Sequence, residues 1–221
     1  MIFSPHISHE TLNTWCIVDF SSLLELITTQ KSFTYLDDVI GDRALADSPR
    51  ILIYHAKQCD PKKCTGIRLS RMRRGEILSS MNQIPRGGVV LNPVSETALS
   101  RADRDAMLKS GLIALDCSWK KAEEIFANSR LGMQRALPYL IAANPINTYK
   151  PIKLSTGEAI AAALYISGFK DAAEDIMSVF KWGPSFITLN HEFLEEYSKC
   201  ETSGDVVKIQ KEYMELQNGY D

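Results

Sequence analysis

Asp116 directly follows the apolar run Leu112-Ile113-Ala114-Leu115 and precedes Trp119 by three residues. A carboxylate at the end of a buried strand, beside an aromatic wall, can hold a cationic group or accept a proton. It could equally serve as the N-cap of a helix over 120–128. Two other apolar runs stop in the same way, at Leu91-Asn92-Pro93 and at Ala143-Asn144-Pro145. If these runs belong to one open α/β sheet, the crevice beyond their carboxyl ends is where a ligand binds. There is no G-x-G-x-x-G and no Walker A sequence, so a conventional phosphate loop is excluded. A small ligand held by loop backbone and apolar side chains fits better.

Other reactive residues read more plainly. His55 ends an apolar run, where a hydrogen-bonded structural role outweighs catalysis. Glu158 stands third after Ser155 in Ser155-Thr156-Gly157-Glu158, a capping box. Cys59 and Cys64 form C-x4-C, but no second Cys/His pair follows at zinc-finger spacing. The thiols therefore read as buried small apolar groups, and no metal is expected. No Ser/His/Asp or Cys/His array follows from local spacing.

The elements that must position these residues alternate. An acidic extension over 1–50 holds a strand at 15–20 and a short helix at 21–28, and ends in the linker signal Asp47-Ser48-Pro49. Strands follow at 50–54, 89–91 and 112–115, with helices predicted over 67–80, 101–109 and 120–128. Gly111 closes the second helix. The apolar stretch 137–145 is a strand or turn. Helices over 156–167, 170–180, 191–200 and 203–217 complete the chain, the first apolar nearly all round and so deeply buried. Strands alternating with helices give an α/β class.

Composition excludes several function classes. The 221 residues are 45% hydrophobic and 24% charged, which excludes a disordered or low-complexity chain. No apolar run approaches the roughly 18 residues of a membrane span. A basic n-region followed by an apolar h-region is missing, so a cytoplasmic protein with reduced thiols is expected. The net charge of −2 conceals segregation. Residues 1–50 carry seven acids against three bases, whereas 57–74 carry seven bases against Asp60 alone. Within that block Lys62, Lys63, Arg68, Arg71 and Arg74 fall on a loop and the helix after it, flanking an apolar face at 67, 69, 72, 77 and 78. This reads as a phosphate-binding patch. Lys120, Lys121, Arg130, Arg135 and Lys150 are weaker candidates.

Several separated motifs then coincide in fixed order. They are Cys59-Asp60-Pro61-Lys62-Lys63-Cys64-Thr65-Gly66, Leu91-Asn92-Pro93, Leu115-Asp116-Cys117-Ser118-Trp119, Leu137-Pro138-Tyr139-Leu140, Ala142-Ala143-Asn144-Pro145, Lys153-Leu154-Ser155 with Glu158-Ala159, and Phe180-Lys181-Trp182-Gly183. Over about residues 51–200 the chain closely resembles the small-subunit rRNA aminocarboxypropyltransferase family of archaea and eukaryotes. The resemblance implies a SPOUT-like knotted fold, with an α/β part over 51–125 and a mainly helical part over 126–221. It implies S-adenosylmethionine as donor of a 3-amino-3-carboxypropyl group. The acceptor would be N3 of a (N1-methyl)pseudouridine in small-subunit rRNA or a pre-ribosomal particle, during ribosome biogenesis, with the enzyme acting as a monomer. The carried-over pocket comprises Thr65, Leu91, Pro93, Leu115, Trp119, Leu137, Leu140, Leu154, Ser155 and Ala159. Asp116 would hold the donor's amino group, stabilise the sulfonium or, ranking third, accept the imide proton. A SPOUT-type RNA methyltransferase and a non-catalytic RNA-binding assembly factor are the alternatives. The family leaves residues 1–50 without a role.

Overall fold

The computed structural model describes residues 48–57, 60–61, 63–116 and 132–218. The chain divides into two units, Met1–Asp42 and Arg43–Asp221, and every described residue lies in the second. Trp119, Lys62 and Cys59, the elements expected at 15–28, and the helix expected at 120–128 lie outside the described residues.

Five strands form one sheet: β1 (Ile51–His55), β2 (Glu76–Leu78), β3 (Val89–Leu91), β4 (Leu112–Asp116) and β5 (Met133–Arg135). Their order is β2-β1-β4-β3-β5, and all four pairings are parallel. Parallel neighbours need crossover connections. Helix α1 (Thr65–Arg71) supplies one between β1 and β2, and α2 (Arg104–Ser110) another between β3 and β4. Because every strand runs the same way, all carboxyl ends meet at one edge.

A parallel sheet packed on both faces needs apolar residues on both. Ile53, Val89, Leu91, Leu112 and Ala114 enter the larger core, whereas their neighbours Leu52, Val90 and Ile113 join a smaller cluster with Leu78 and Ile84. Alternation along each strand thus divides each apolar run between two layers. Each such Leu or Ile contributes about 1.5–3 kcal/mol on burial.

The larger core is closed by helices α3 (Thr156–Ile166), α4 (Lys170–Ser178), α5 (Gly183–Leu189), α6 (His191–Lys199) and α7 (Ser203–Asn218). Helix α3 is central, packing on β4, α1, α4 and α6. Its run Ile160-Ala161-Ala162-Ala163-Leu164 is wholly buried, as an all-round apolar helix must be. Ser155 starts it with the expected capping box. Its Oγ accepts from the Glu158 N–H at 3.3 Å, and Glu158 Oε2 accepts from the Ser155 N–H at 2.7 Å.

One expectation is corrected. The helix predicted over 67–80 stops at Arg71, and Glu76–Leu78 is instead an edge strand beside β1. The chain turns at 72–75, with Arg73 at φ 58° and Gly75 against Ile53 and Ile51, which leaves Met72 and Ile77 exposed. Tertiary pairing to β1 outweighs the helix-like spacing of the apolar residues. Over 137–145, expected as a strand or turn, the chain is irregular and leads into a turn from Pro145. It is tied by the isolated bridges Ala98↔Ala136 and Ile141↔Pro151. The short elements β5 and α5 carry no strong periodic pattern and escape sequence reading.

Candidate active site at the strand ends

Leaving β1 the chain moves to β2, on one side; leaving β4 it passes β3 to reach β5, on the other. The β1–β4 boundary is therefore the topological switch point, where open α/β sheets bind ligands. His55 and Asp116 are register partners there. The next ends along the edge are Leu91-Asn92 of β3 and Ala136-Leu137 beyond β5. Asn92 joins those two by donating its backbone N–H to the Arg135 carbonyl at 2.8 Å.

Asp116 is held from three directions. The Cys64 thiol donates to Oδ2 at 2.7 Å, the Thr156 hydroxyl donates to Oδ1 at 3.1 Å, and His55 Nε2 lies 3.8 Å from Oδ2. Cys64 also caps α1, its Sγ accepting from the Ile67 N–H at 3.3 Å. One buried thiol thus orders both a helix start and the carboxylate. Gly66 makes the approach possible, since a Cβ there would stand 3.0 Å from Asp116 Oδ2 and 3.2 Å from Ile53. Ligand atoms of His55, Cys64 and Asp116 all lie within 4.8 Å of one another, a set able to surround a divalent ion. Yet two ligands of a tetrahedral zinc would stand about 3.5 Å apart. The Cys64 Sγ to Asp116 Oδ2 separation is shorter than that, at 2.7 Å, so these two would have to move apart to share a metal.

Thr65 and α3 complete this end of the site. The Gly157 N–H, an orphan donor in the first turn of α3, gives its hydrogen bond to Thr65 Oγ1 at 3.0 Å. The Thr65 hydroxyl then has its own proton to direct toward a ligand. Glu158 lies fully buried beneath and accepts four hydrogen bonds. These come from the backbone N–H groups of Ala143, Asn144 and Ser155 and from Asn144 Nδ2, all at 2.7–2.9 Å. This one carboxylate fixes the loop that runs from the apolar stretch to α3.

The remaining expected pocket residues are distributed along the edge. Leu91 is buried and Pro93 exposed. Leu115 is half-buried against the smaller cluster. Leu137, Leu154, Ser155 and Ala159 are half-buried. Leu140 is wholly buried in the larger core, and its carbonyl already accepts from the Ile152 N–H. Thr65, Asp116 and α3 are brought together by direct hydrogen bonds. Cys64, Gly66 and Asn190 enter the sequence reading only as members of family motifs, and Thr156 only as the start of a helix, none with a role in the site. Asn190 is buried and bridges Ile141 to Phe186. The advance signals are the motif over 59–66 and, for α3, the orphan donors of its first turn.

The basic residues separate into two kinds. Lys63, Arg68 and Arg71 are exposed, with the Arg68 guanidinium 5.4 Å from the Phe180 ring centre. Arg74 instead makes two 2.8 Å hydrogen bonds to Asp175, fastening the end of α1 to α4. That bidentate bond raises the Arg74 pKa further. Arg135 is similarly spent on the buried Asp103, at 2.8 Å.

These features define an α/β protein whose polar side chains converge at the carboxyl ends of a parallel sheet, beside the N-termini of two helices. Comparison with known proteins then narrows the class. Residues 89–214 match the family model "Ribosome biogenesis protein, C-terminal". The 16S rRNA aminocarboxypropyltransferase of Methanothermobacter thermautotrophicus is 55% identical over 168 residues, 75% of this chain and 98% of that relative. The enzyme of the same name from Methanocaldococcus jannaschii is 48% identical over 166 residues, 75% of this chain and 96% of its own. The solved structure of the SAM-dependent rRNA acp-transferase Tsr3 from Vulcanisaeta distributa superposes with a TM-score of 0.67 at 37% identity. It covers 74% of this chain and 96% of the other. The chain belongs to the 16S rRNA aminocarboxypropyltransferase family. Residues 49–72 also match a model described as a possible Fer4-like domain in RNase L inhibitor. That stretch holds only the two cysteines Cys59 and Cys64, short of the thiolate set that an iron–sulfur cluster needs.

Proposed function

We propose that this chain transfers the 3-amino-3-carboxypropyl group of S-adenosylmethionine to N3 of an N1-methylpseudouridine in small-subunit rRNA, during ribosome biogenesis. The carrying observation is Asp116, fixed between Cys64 and Thr156 at the switch point of a chain of this family. In the reaction the bond from sulfur to the aminocarboxypropyl carbon breaks and a bond from that carbon to N3 forms. N3 loses its proton, and methylthioadenosine leaves.

The residues support this chemistry as follows. Asp116 offers a fixed negative charge to the donor's ammonium or sulfonium. With both its oxygens engaged, positioning is a better role than proton abstraction. Thr65 directs its hydroxyl proton at the ribose. Leu91 and Pro93 pack on the adenine side and Leu115 offers backbone groups, while Leu137, Leu154, Ser155 and Ala159 complete the pocket from the C-terminal half. Leu140 supports them from the core. Trp119 would wall off the methyl, so that the longer chain faces the acceptor. Lys62, Lys63, Arg68 and Arg71 hold rRNA phosphates, whether in free rRNA or a pre-ribosomal particle. The parallel sheet with a helical C-terminal part supports the SPOUT-like knotted reading. No helix among the described residues is long and apolar enough to cross a membrane. We read the protein as a cytoplasmic monomer.

A double-label experiment tests the proposal. S-adenosylmethionine carrying one label in its carboxyl carbon and another in its methyl is offered with rRNA. Carboxyl label alone should enter the RNA. Methyl label would establish a methyltransferase instead, and RNA binding without either label a non-catalytic assembly factor.

A further inference from the structure

Residues 144–153 leave the site as a loop and return to it at Leu154. Three of the eight large apolar side chains exposed among the described residues stand on this loop: Ile146 (68% exposed), Tyr149 (73%) and Ile152 (56%). The loop is nevertheless firmly built. Asn144 Oδ1 accepts from the N–H groups of Ile146 and Asn147, and the Thr148 hydroxyl donates to the Asn144 carbonyl. The N–H groups of Tyr149 and Ile152 donate to the carbonyls of Ala142 and Leu140, at 2.7 and 2.9 Å. Glu158 holds its root from below.

Tyr149 and Ile152 both have positive φ, 61° and 66°. A β-branched or bulky residue adopts that conformation rarely, and only where its surroundings enforce it. Here the result is that both side chains point into solvent from a rigid backbone.

The charge along the chain on either side of them is of one sign. Between Glu124 and Glu158 the sequence has no acid, and its bases are Arg130, Arg135, Lys150 and Lys153. Lys150 and Lys153 are exposed, and neither forms an ion pair among the described residues. A fixed aromatic ring beside an aliphatic side chain, flanked by lysines, matches an unpaired RNA base and its phosphates. Thr156, which touches Asp116, is four residues from Ile152.

We infer that loop 144–153 is a second RNA contact, separate from the Lys63–Arg71 patch. In it Tyr149 and Ile152 pack on an unpaired base near the target nucleotide, and Lys150 and Lys153 hold the adjoining phosphates. This rests on the rRNA reading above, and it locates what selects a single-stranded context.

The test uses the full chain and a stem-loop RNA with N1-methylpseudouridine in its loop. Tyr149→Gly removes the ring while suiting the positive φ, so the melting temperature should hold or rise. S-adenosylmethionine affinity should not change, and RNA affinity should fall at least 5-fold at constant salt slope. Tyr149→Phe should bind RNA as the parent does. Lys150→Gln with Lys153→Gln should lower the slope of log affinity against log salt by about 1.4. Parent-like RNA affinity in Tyr149→Gly, or an unchanged slope in the lysine pair, overturns the inference. So does parent-like RNA binding with lost association to assembled small subunits, which would mark a protein partner. If the parent protein itself fails to bind S-adenosylmethionine or RNA, the proposed function fails instead.

Discussion

The Cys64 thiol donates a 2.7 Å hydrogen bond to Asp116 across 52 residues of sequence, joining the start of α1 to the end of β4. The same sulfur caps α1 through Ile67. Cys64 therefore acts on the site through Asp116, as a positioning residue. Cys64→Ser keeps a donor and a cap, and should hold S-adenosylmethionine affinity within about 3-fold. Cys64→Ala removes about 1 kcal/mol of hydrogen bonding and should weaken it about 5-fold. Asp116→Asn keeps the shape and loses the charge. Calorimetric affinity should fall by about 10- to 100-fold, the range of a charged hydrogen bond, with little change in melting temperature.

Glu158 gathers four donors into a site with no solvent access. Glu158→Gln turns an amide NH2 toward some of those donors, leaving buried N–H groups unpaired. Stability should fall by about 2–4 kcal/mol in chemical denaturation. Hydrogen exchange should rise first at Ala143 and Asn144, because their N–H groups lose their acceptor. Uniform protection across the loop would show that Glu158 does not anchor it.

What was legible beforehand follows from local physics. Strands β3 and β4 announce themselves as short apolar runs ended by Asn-Pro or Asp, and the box around Ser155 and Glu158 marks α3 because its hydrogen bonds are local. Asp116 stood out by position alone. Its partners did not, since Cys64 and Thr156 reach it only after β1, β4, α1 and α3 have assembled. The edge strand β2 was hidden for the same reason: residues 76–78 are a strand only because β1 lies beside them. Arg74 looked equivalent to Arg68 until folding brought Asp175 to it. The expected pocket residues come from the family resemblance, since periodicity carries no signal for them.

Arg74 and Arg71 are three residues apart and should behave differently in RNA binding. Arg68→Ala with Arg71→Ala removes two exposed charges. The slope of log affinity against log salt should shrink by about 1.4 for a single strand. Arg74→Ala should leave that slope unchanged and lower stability by up to about 1 kcal/mol, the worth of a half-exposed ion pair. A slope that falls in Arg74→Ala would return this residue to the RNA surface.

Glu195 links three elements and sets one pH dependence. The Lys170 ammonium and the Tyr165 hydroxyl both donate to its Oε1. Its pKa is lowered, first by the Lys170 hydrogen bond, then by that from Tyr165, with burial opposing both. In the folded state it binds its proton at lower pH than in the unfolded chain. As acid is added, the unfolded chain takes the proton first. The stabilisation is then fully present above the ordinary carboxylate pKa of about 4.3, and is lost as pH falls through the lowered folded value. Glu195→Gln should therefore be less stable than the parent at pH 7 by about 0.5–1 kcal/mol, the scale of a partly exposed pair. The two melting curves should converge toward pH 3. Lys170→Met removes the first cause of the lowered pKa and should flatten the acid limb in the same direction. Asp205, lowered by its hydrogen bonds to Thr202, stays intact in both variants and supplies the residual slope. A gap between parent and Glu195→Gln that widens below pH 4 would show that the charge of Glu195 is not what stabilises the contact.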